Sequence, residues 1–141
     1  MRKADFKKFA PFFTWQEVTA TGAKLKDVNI RLLLALFRLR RLLGRRIKLI
    51  KNGMTTGKHK SPEHPGGLAA DITFYIKDGP IAIGFLYGCC LAARFKGIGI
   101  YHNRRVYSLH LDIGKRFRRW TAVKNKKGKW KYLPFINDPK K

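Results

Sequence analysis

The chain has 141 residues, 45% of them apolar and 13% aromatic, which suffices for a buried core and excludes a disordered polymer or a fold held up by disulfide staples. Lys and Arg number 32 against 8 Asp and Glu, a formal +24, so a partner held by charge is a polyanion such as nucleic acid, anionic lipid or an envelope polymer. The same surplus serves plain solubility, and it does not choose among these partners.

In chain order, residues 1–13 are basic and lack an apolar run of signal-peptide length, so the protein is expected to be made in the cytoplasm without a signal peptide. Residues 25–43 predict a helix: Ile30, Leu33, Leu34 and Phe37 recur at helical spacing, Asp27 stands as its cap, and Gly44 ends it. Residues 46–51 predict a short strand and 52–67 a polar loop. A strand is predicted over 68–76, then a second helix over 80–94 with Gly97 behind it. Cys89 and Cys90 are adjacent, which strains a mutual disulfide, and they read as reduced packing residues. A further strand is predicted over 106–113. The basic aromatic extension 124–141, with Trp130, Tyr132 and Phe135 among lysines, predicts an edge strand or a wrap of the same domain. No stretch is long enough to span a bilayer. With no repeat or composition break, residues 1–141 form one domain of the α+β class, with a small antiparallel sheet and helices on one face, expected to be a monomer.

With so few carboxylates, each can be inspected. Asp71 and Asp112 lie in apolar stretches, where a carboxylate needs a cation, a metal or a dense set of hydrogen bonds. Period-two alternation puts Leu68, Ala70, Ile72 and Phe74 on one face of the first strand and Asp71 with Thr73 on the other. In the second strand Tyr107, Leu109 and Leu111 share a face, opposite Ser108, His110 and Asp112. If both strands belong to one sheet, Asp71, His110 and Asp112 converge on its polar side, near His64 of the preceding loop. Two imidazoles, a carboxylate and a position left for water make a recurrent catalytic zinc set. The spacing by itself admits equally a plain buried polar pair.

The run His64-Pro-Gly-Gly67-Leu-Ala69-Ala-Asp71-Ile72 resembles the H-x-x-G-x-A-x-D-[IV] motif of the D-Ala-D-Ala metallopeptidase family, which is grouped with lysostaphin and the hedgehog domain. Gly97-Ile-Gly99-Ile-Tyr101, His110-Leu-Asp112-Ile-Gly114 and Arg119-Trp120 are similar, in order, to the later motifs of that family's small peptidoglycan endopeptidases. The resemblance covers most of the chain. It implies a hedgehog/D-Ala-D-Ala peptidase-like fold with a zinc cleft on the sheet face away from the helices. It implies one Zn2+ held by His64, Asp71 and His110, with Gly67 and Ala69 allowing the close turn between the first two. Asp112 is then the catalytic base or a group orienting a ligand, and Arg119 with Trp120 would frame the cleft. Two departures stand out. Some relatives carry a Glu base where this chain has Tyr107, and residues 52–56 lack the substrate-binding arginine of the family. Lys58, His59 or Lys60 would replace that arginine; otherwise His59 is a solvated loop residue. Glu63 reads as a surface carboxylate or an alternative base, and His102 as a turn histidine.

The function expected is therefore a zinc metallopeptidase that cuts stem peptides or cross-bridges of peptidoglycan, phage-lysin-like, acting on the wall after release from the cytoplasm or from a virion. Its charge would concentrate it on anionic envelope polymers, with no dedicated nucleic acid partner. The alternatives are a basic nucleic-acid-binding protein and a non-catalytic, zinc-containing wall-binding domain.

Overall fold

A computed structural model describes residues 1–10, 13–57, 59, 61–75, 79–103 and 106–133. The two strands with the cleanest alternation, β2 (Ala69–Phe74) and β4 (Val106–Asp112), pair antiparallel inside a six-stranded sheet. The other strands are β1 (Ile47–Leu49), β3 (Gly97–Asn103), β5 (Arg118–Lys124) and β6 (Trp130–Leu133), in the spatial order β1-β2-β4-β3-β5-β6. All neighbours are antiparallel except β3 and β5, which run parallel, so the expectation of a purely antiparallel sheet is corrected at one pairing. The reason is positional. β4 finishes opposite Gly97, at the start of β3, and Arg118 opens β5 beside that same glycine on its other flank.

One face of the sheet is apolar, and the helices cover it. Ala70, Ile72, Ile98, Ile100, Leu109 and Leu111 form a single buried cluster with Leu32, Leu33, Leu36 and Leu39 of α2 (Ile30–Leu43) and with Leu86 and Cys90 of α3 (Ile83–Ala92). Each such side chain contributes roughly 1.5–3 kcal/mol by leaving water. A shorter helix, α1 (Trp15–Ala20), carries a capping box in which Thr14 and Glu17 satisfy each other's backbone N–H groups. Cys89 and Cys90 are buried and unbridged. Among the described residues no helix is long and apolar enough to cross a membrane.

Several boundaries differ from the sequence expectation. Asp27 does not cap α2; it lies in a separate 3-10 turn (Leu25–Asp27), and Asn29 caps the helix by accepting the Arg31 N–H at 2.9 Å. The break lets Asn29 N–H reach the carbonyl of Gly67 at 3.1 Å, which ties α2 to the loop carrying His64. Gly67 has φ +72°, and a Cβ there would overlap the Asp27 carbonyl, so only glycine fits. The second helix ends at Ala92, with Arg94 rather than Gly97 taking the left-handed turn at φ 73°, while Gly97 begins β3. His102 lies in β3, not in a turn. The extension supplies edge strand β6; its residues 134–141, including Phe135, and the expected strand end at Ile76 fall outside the described residues.

Candidate metal centre

The helix-free face of the sheet is built in cross-strand rows. One row runs Asp71–His110–Gly99–Trp120, and the next runs Ala69–Asp112–Gly97–Arg118. Directly opposed residues on paired strands share a face, so the rows bring Asp71 against His110 and Asp112 toward Arg118. The loop before β2 then brings His64 over the first row.

His64 Nε2 lies 3.0 Å from His110 Nδ1, and Asp71 Oδ1 lies 3.3 Å from each of these nitrogens. Zinc bonds of about 2.0–2.2 Å in a tetrahedral array place donor atoms about 3.2–3.5 Å apart, so the triangle has the size of a three-donor face. The tautomers point the same way. His64 Nδ1–H donates to the Met54 carbonyl at 2.7 Å, because a carbonyl only accepts. His110 Nε2–H donates to Asp112 Oδ2 at 2.9 Å. Each neutral ring therefore spends its single N–H outward and turns a bare lone pair inward, beside a carboxylate oxygen. Three acceptors facing one point could hold a cation between them.

The protonation tendencies describe the same cluster when an inward ring nitrogen carries a proton that it donates to Asp71. Burial alone would raise the Asp71 carboxyl, but hydrogen bonds with His110 and His64 outweigh it and leave the pKa at about 2. For His110 burial works downward, and the bonds to Asp112 and Asp71 overcome it, so the imidazole is raised above its ordinary value. A proton on His110 would bring positive charge to the cluster, in the place a metal ion could take.

Asp112 is 1% exposed, and both its oxygens are engaged: Oδ2 with His110 and with Arg118 Nη2 at 3.4 Å, Oδ1 with the Gly114 N–H at 3.0 Å. Burial would raise its pKa, and these partners together lower it. Arg118 Nη2 also binds Glu63 Oε2 at 3.1 Å, and Ser61 donates to the same carboxylate oxygen. Glu63 is thus tied into the wall of the site, contrary to the expectation of a surface carboxylate. Two glycines make room for these groups. A Cβ on Gly97 would overlap the Asp112 carboxylate, and one on Gly99 would overlap the Trp120 indole.

His59 is not a solvated loop residue; it lines the cleft beside the donor cluster. Its ring stacks on His64 at 3.7 Å between centroids, and its Nε2 lies 2.8 Å from the Asn52 carbonyl and 2.7 Å from that of Thr56. Those carbonyls take the Nε2–H, leaving Nδ1 as an acceptor 3.9 Å from Asp71 Oδ2. His59, His64 and Asp71 offer ligand atoms that all lie within 4.8 Å of one another, so the cluster can hold a metal ion with His59 as a member or as a neighbour.

Trp120 lies in the cleft, its ring 5.3 Å from His110, but Arg119 does not. Neighbours along a strand face opposite ways, so Arg119 turns to the helix side, where its guanidinium sits 5.4 Å from the Tyr87 ring and 4.9 Å from Phe117. The cleft arginine is Arg118. Lys58 and Lys60 fall outside the described residues.

The cleft, of about 650 Å³, runs from Asn52 and His59 across the three donors to Tyr101, Trp120, Trp130 and Tyr132. Tyr101 Oη accepts the Trp120 Nε1–H at 2.9 Å, and burial is the main force pushing this phenol up to about 12, so it stays a neutral hydroxyl. Tyr101, Arg118 and the space-making role of Gly97 and Gly99 were missed in the sequence. Parity carries the signal for all of them: 97, 99 and 101 share a face, as do 118 and 120.

No family model, curated protein or solved structure matches this chain when it is compared with each.

Proposed function

We propose that the protein is a zinc-dependent peptidase that hydrolyses peptide bonds of bacterial peptidoglycan, with His64, Asp71 and His110 as ligands of one Zn2+. The observation that carries the reading is the inward convergence of two imidazole lone pairs and a carboxylate oxygen at 3.0–3.3 Å on the floor of an open cleft. The motif resemblance around His64, Asp71 and His110 supports the substrate class.

His64, Asp71 and His110 would hold the zinc ion, which would supply a Lewis acid for the scissile carbonyl and a source of hydroxide near neutral pH. The remaining work falls to side chains. His59 Nδ1 is the acceptor that takes a proton from the attacking water and returns it to the leaving amine, its opposite nitrogen being locked as a donor to two carbonyls. Asp112 orients His110 and is a positioning residue: its carboxylate meets the ring nitrogen on the far side from the donor cluster and is saturated with partners. Tyr101, Trp130 and Tyr132 wall the groove along which an extended stem peptide or cross-bridge would lie, which favours endopeptidase action. Carboxylates of Asp71 and Glu63 beside this groove repel phosphate, which argues against nucleic acid as the cleft's occupant. The enzyme would act on the wall after release from the cytoplasm or from a virion.

The test is to measure zinc per chain and release of soluble muropeptides from isolated walls. About one zinc, with activity abolished by a chelator and restored by zinc, is expected. His64→Ala should lose both the metal and at least about a thousandfold in rate. Cleavage by His64→Ala at the wild-type rate would end the proposal.

A further inference from the structure

A second cavity, also of about 650 Å³, shares no lining residue with the metal cleft. It lies where α2 ends. Gly44, in the left-handed conformation at φ 64°, stops the helix and folds the chain back, so that Arg45 and Arg46 line the same cavity as Arg40 and Arg41 of the last helical turn. Glu17 and Tyr75 contribute to the wall. Among the described residues, four guanidiniums and one carboxylate therefore line the cavity. That carboxylate is shared: Glu17 Oε2 already accepts the Thr14 N–H at 2.8 Å in the capping box of α1.

The simplest alternative is that arginines sit at a helix C-terminus because the backbone dipole favours cations there. It accounts for Arg40 and Arg41 but not for the pair beyond Gly44, and a dipole end worth about half a charge does not balance four guanidiniums. The cavity is also built with some rigidity. Arg45 donates from Nη1 to the Gly79 carbonyl at 2.8 Å and from Nη2 to the Pro80 carbonyl at 3.3 Å, which fixes its plane. Arg40 is 8% exposed and packs its guanidinium 4.8 Å from the Phe13 ring. Burial is the main cause lowering its pKa; the Glu17 charge works against it and the Arg46 charge adds to it.

We propose that this cavity is a binding site for a phosphate monoester dianion. The ligand chemistry follows from the groups on the wall. Guanidinium forks match phosphate oxygens in pairs, and a monoester presents three free oxygens and two charges to a surplus of three positive charges. A phosphodiester presents two oxygens and one charge. It belongs to a polymer that needs a track, whereas this site is a pocket at a chain reversal.

Calorimetric titration of the intact protein with inorganic phosphate and with glycerol 3-phosphate, at a fixed ionic strength of about 0.15 M, tests the proposal, with dimethyl phosphate as the diester probe. Saturable one-to-one binding is expected, at least about tenfold tighter for inorganic phosphate and for glycerol 3-phosphate than for dimethyl phosphate. Arg41→Ala combined with Arg46→Ala should weaken it at least about tenfold, while Lys126→Ala combined with Lys127→Ala, distant in sequence and on the surface, should change it less than about twofold. Arg46→Gln alone serves if the double variant does not fold, with zinc content as a check on the rest of the molecule. Equal loss in the arginine and lysine variants, equal affinity for mono- and diester, or no saturation by about 10 mM would each overturn it. Preference for single-stranded DNA over both inorganic phosphate and glycerol 3-phosphate would do the same.

Discussion

Asp112 and His110 illustrate how a side chain outside the proposed ligand set would tune the affinity for zinc. The Asp112 carboxylate holds the Nε2–H of His110 and so keeps Nδ1 bare toward Asp71 and His64. Asp112→Asn retains an acceptor but loses the charge, and should weaken zinc binding about 10–100-fold, as read by competition with a chromogenic chelator. Activity at saturating zinc should fall much less. The cluster also predicts a pH profile for the metal-free protein. Asp71, lowered from 3.8 to about 2, contributes stability that is present above its unfolded value and is lost as pH falls from about 4 toward 2. His110, raised above 6.5, contributes stability that is complete below that value and is lost as pH rises through its folded pKa. Metal-free protein should therefore show its highest Tm between about pH 4 and 6.5 as far as this cluster decides it, and zinc should remove the alkaline decline.

At the scale of elements, β3 serves the cleft by what it lacks. Gly97 and Gly99 leave the space that the Asp112 carboxylate and the Trp120 indole occupy, and Tyr101 follows two residues on along the same face. Gly99→Ala should push Trp120 off its position beside His110. The expected outcome is a shifted tryptophan emission and a loss of activity, with a stability cost of about 1–3 kcal/mol by denaturant titration, because the strand's own pairing survives. The element boundaries follow similar logic. α2 starts at Ile30, not Leu25, because the backbone at Asn29 bonds to Gly67, a contact across the fold that no local propensity encodes.

For the whole molecule, the formal +24 and the metal cleft are separate properties. The cleft is lined by the Asp71 carboxylate with Lys51 and Arg118, while most of the surplus charge lies elsewhere, including the arginine-lined cavity at the end of α2 and the lysines around β6. Adsorption to isolated walls should therefore fall steeply as salt rises through a few tenths molar, where the Debye length drops below about 8 Å. Cleavage of a short soluble wall fragment should depend on salt far less. Comparing the two over one salt series, by sedimentation and by chromatography, checks this.

By itself the sequence determined the α+β class, the faces of β2 and β4, and the presence of Asp71, His110 and Asp112 on one polar side, because period-two alternation is a property of the strand and not of its surroundings. The same rule, applied to residues 118–120, would have chosen Arg118 over Arg119. What the tertiary structure alone decided is everything that depends on which strands are neighbours. The parallel β3–β5 pairing brings Arg118 to Asp112, and the loop path stacks His59 on His64 with its Nε2 bound to two carbonyls. Contacts between residues far apart in the chain leave no local periodicity to read; they exist only once the chain has closed on itself.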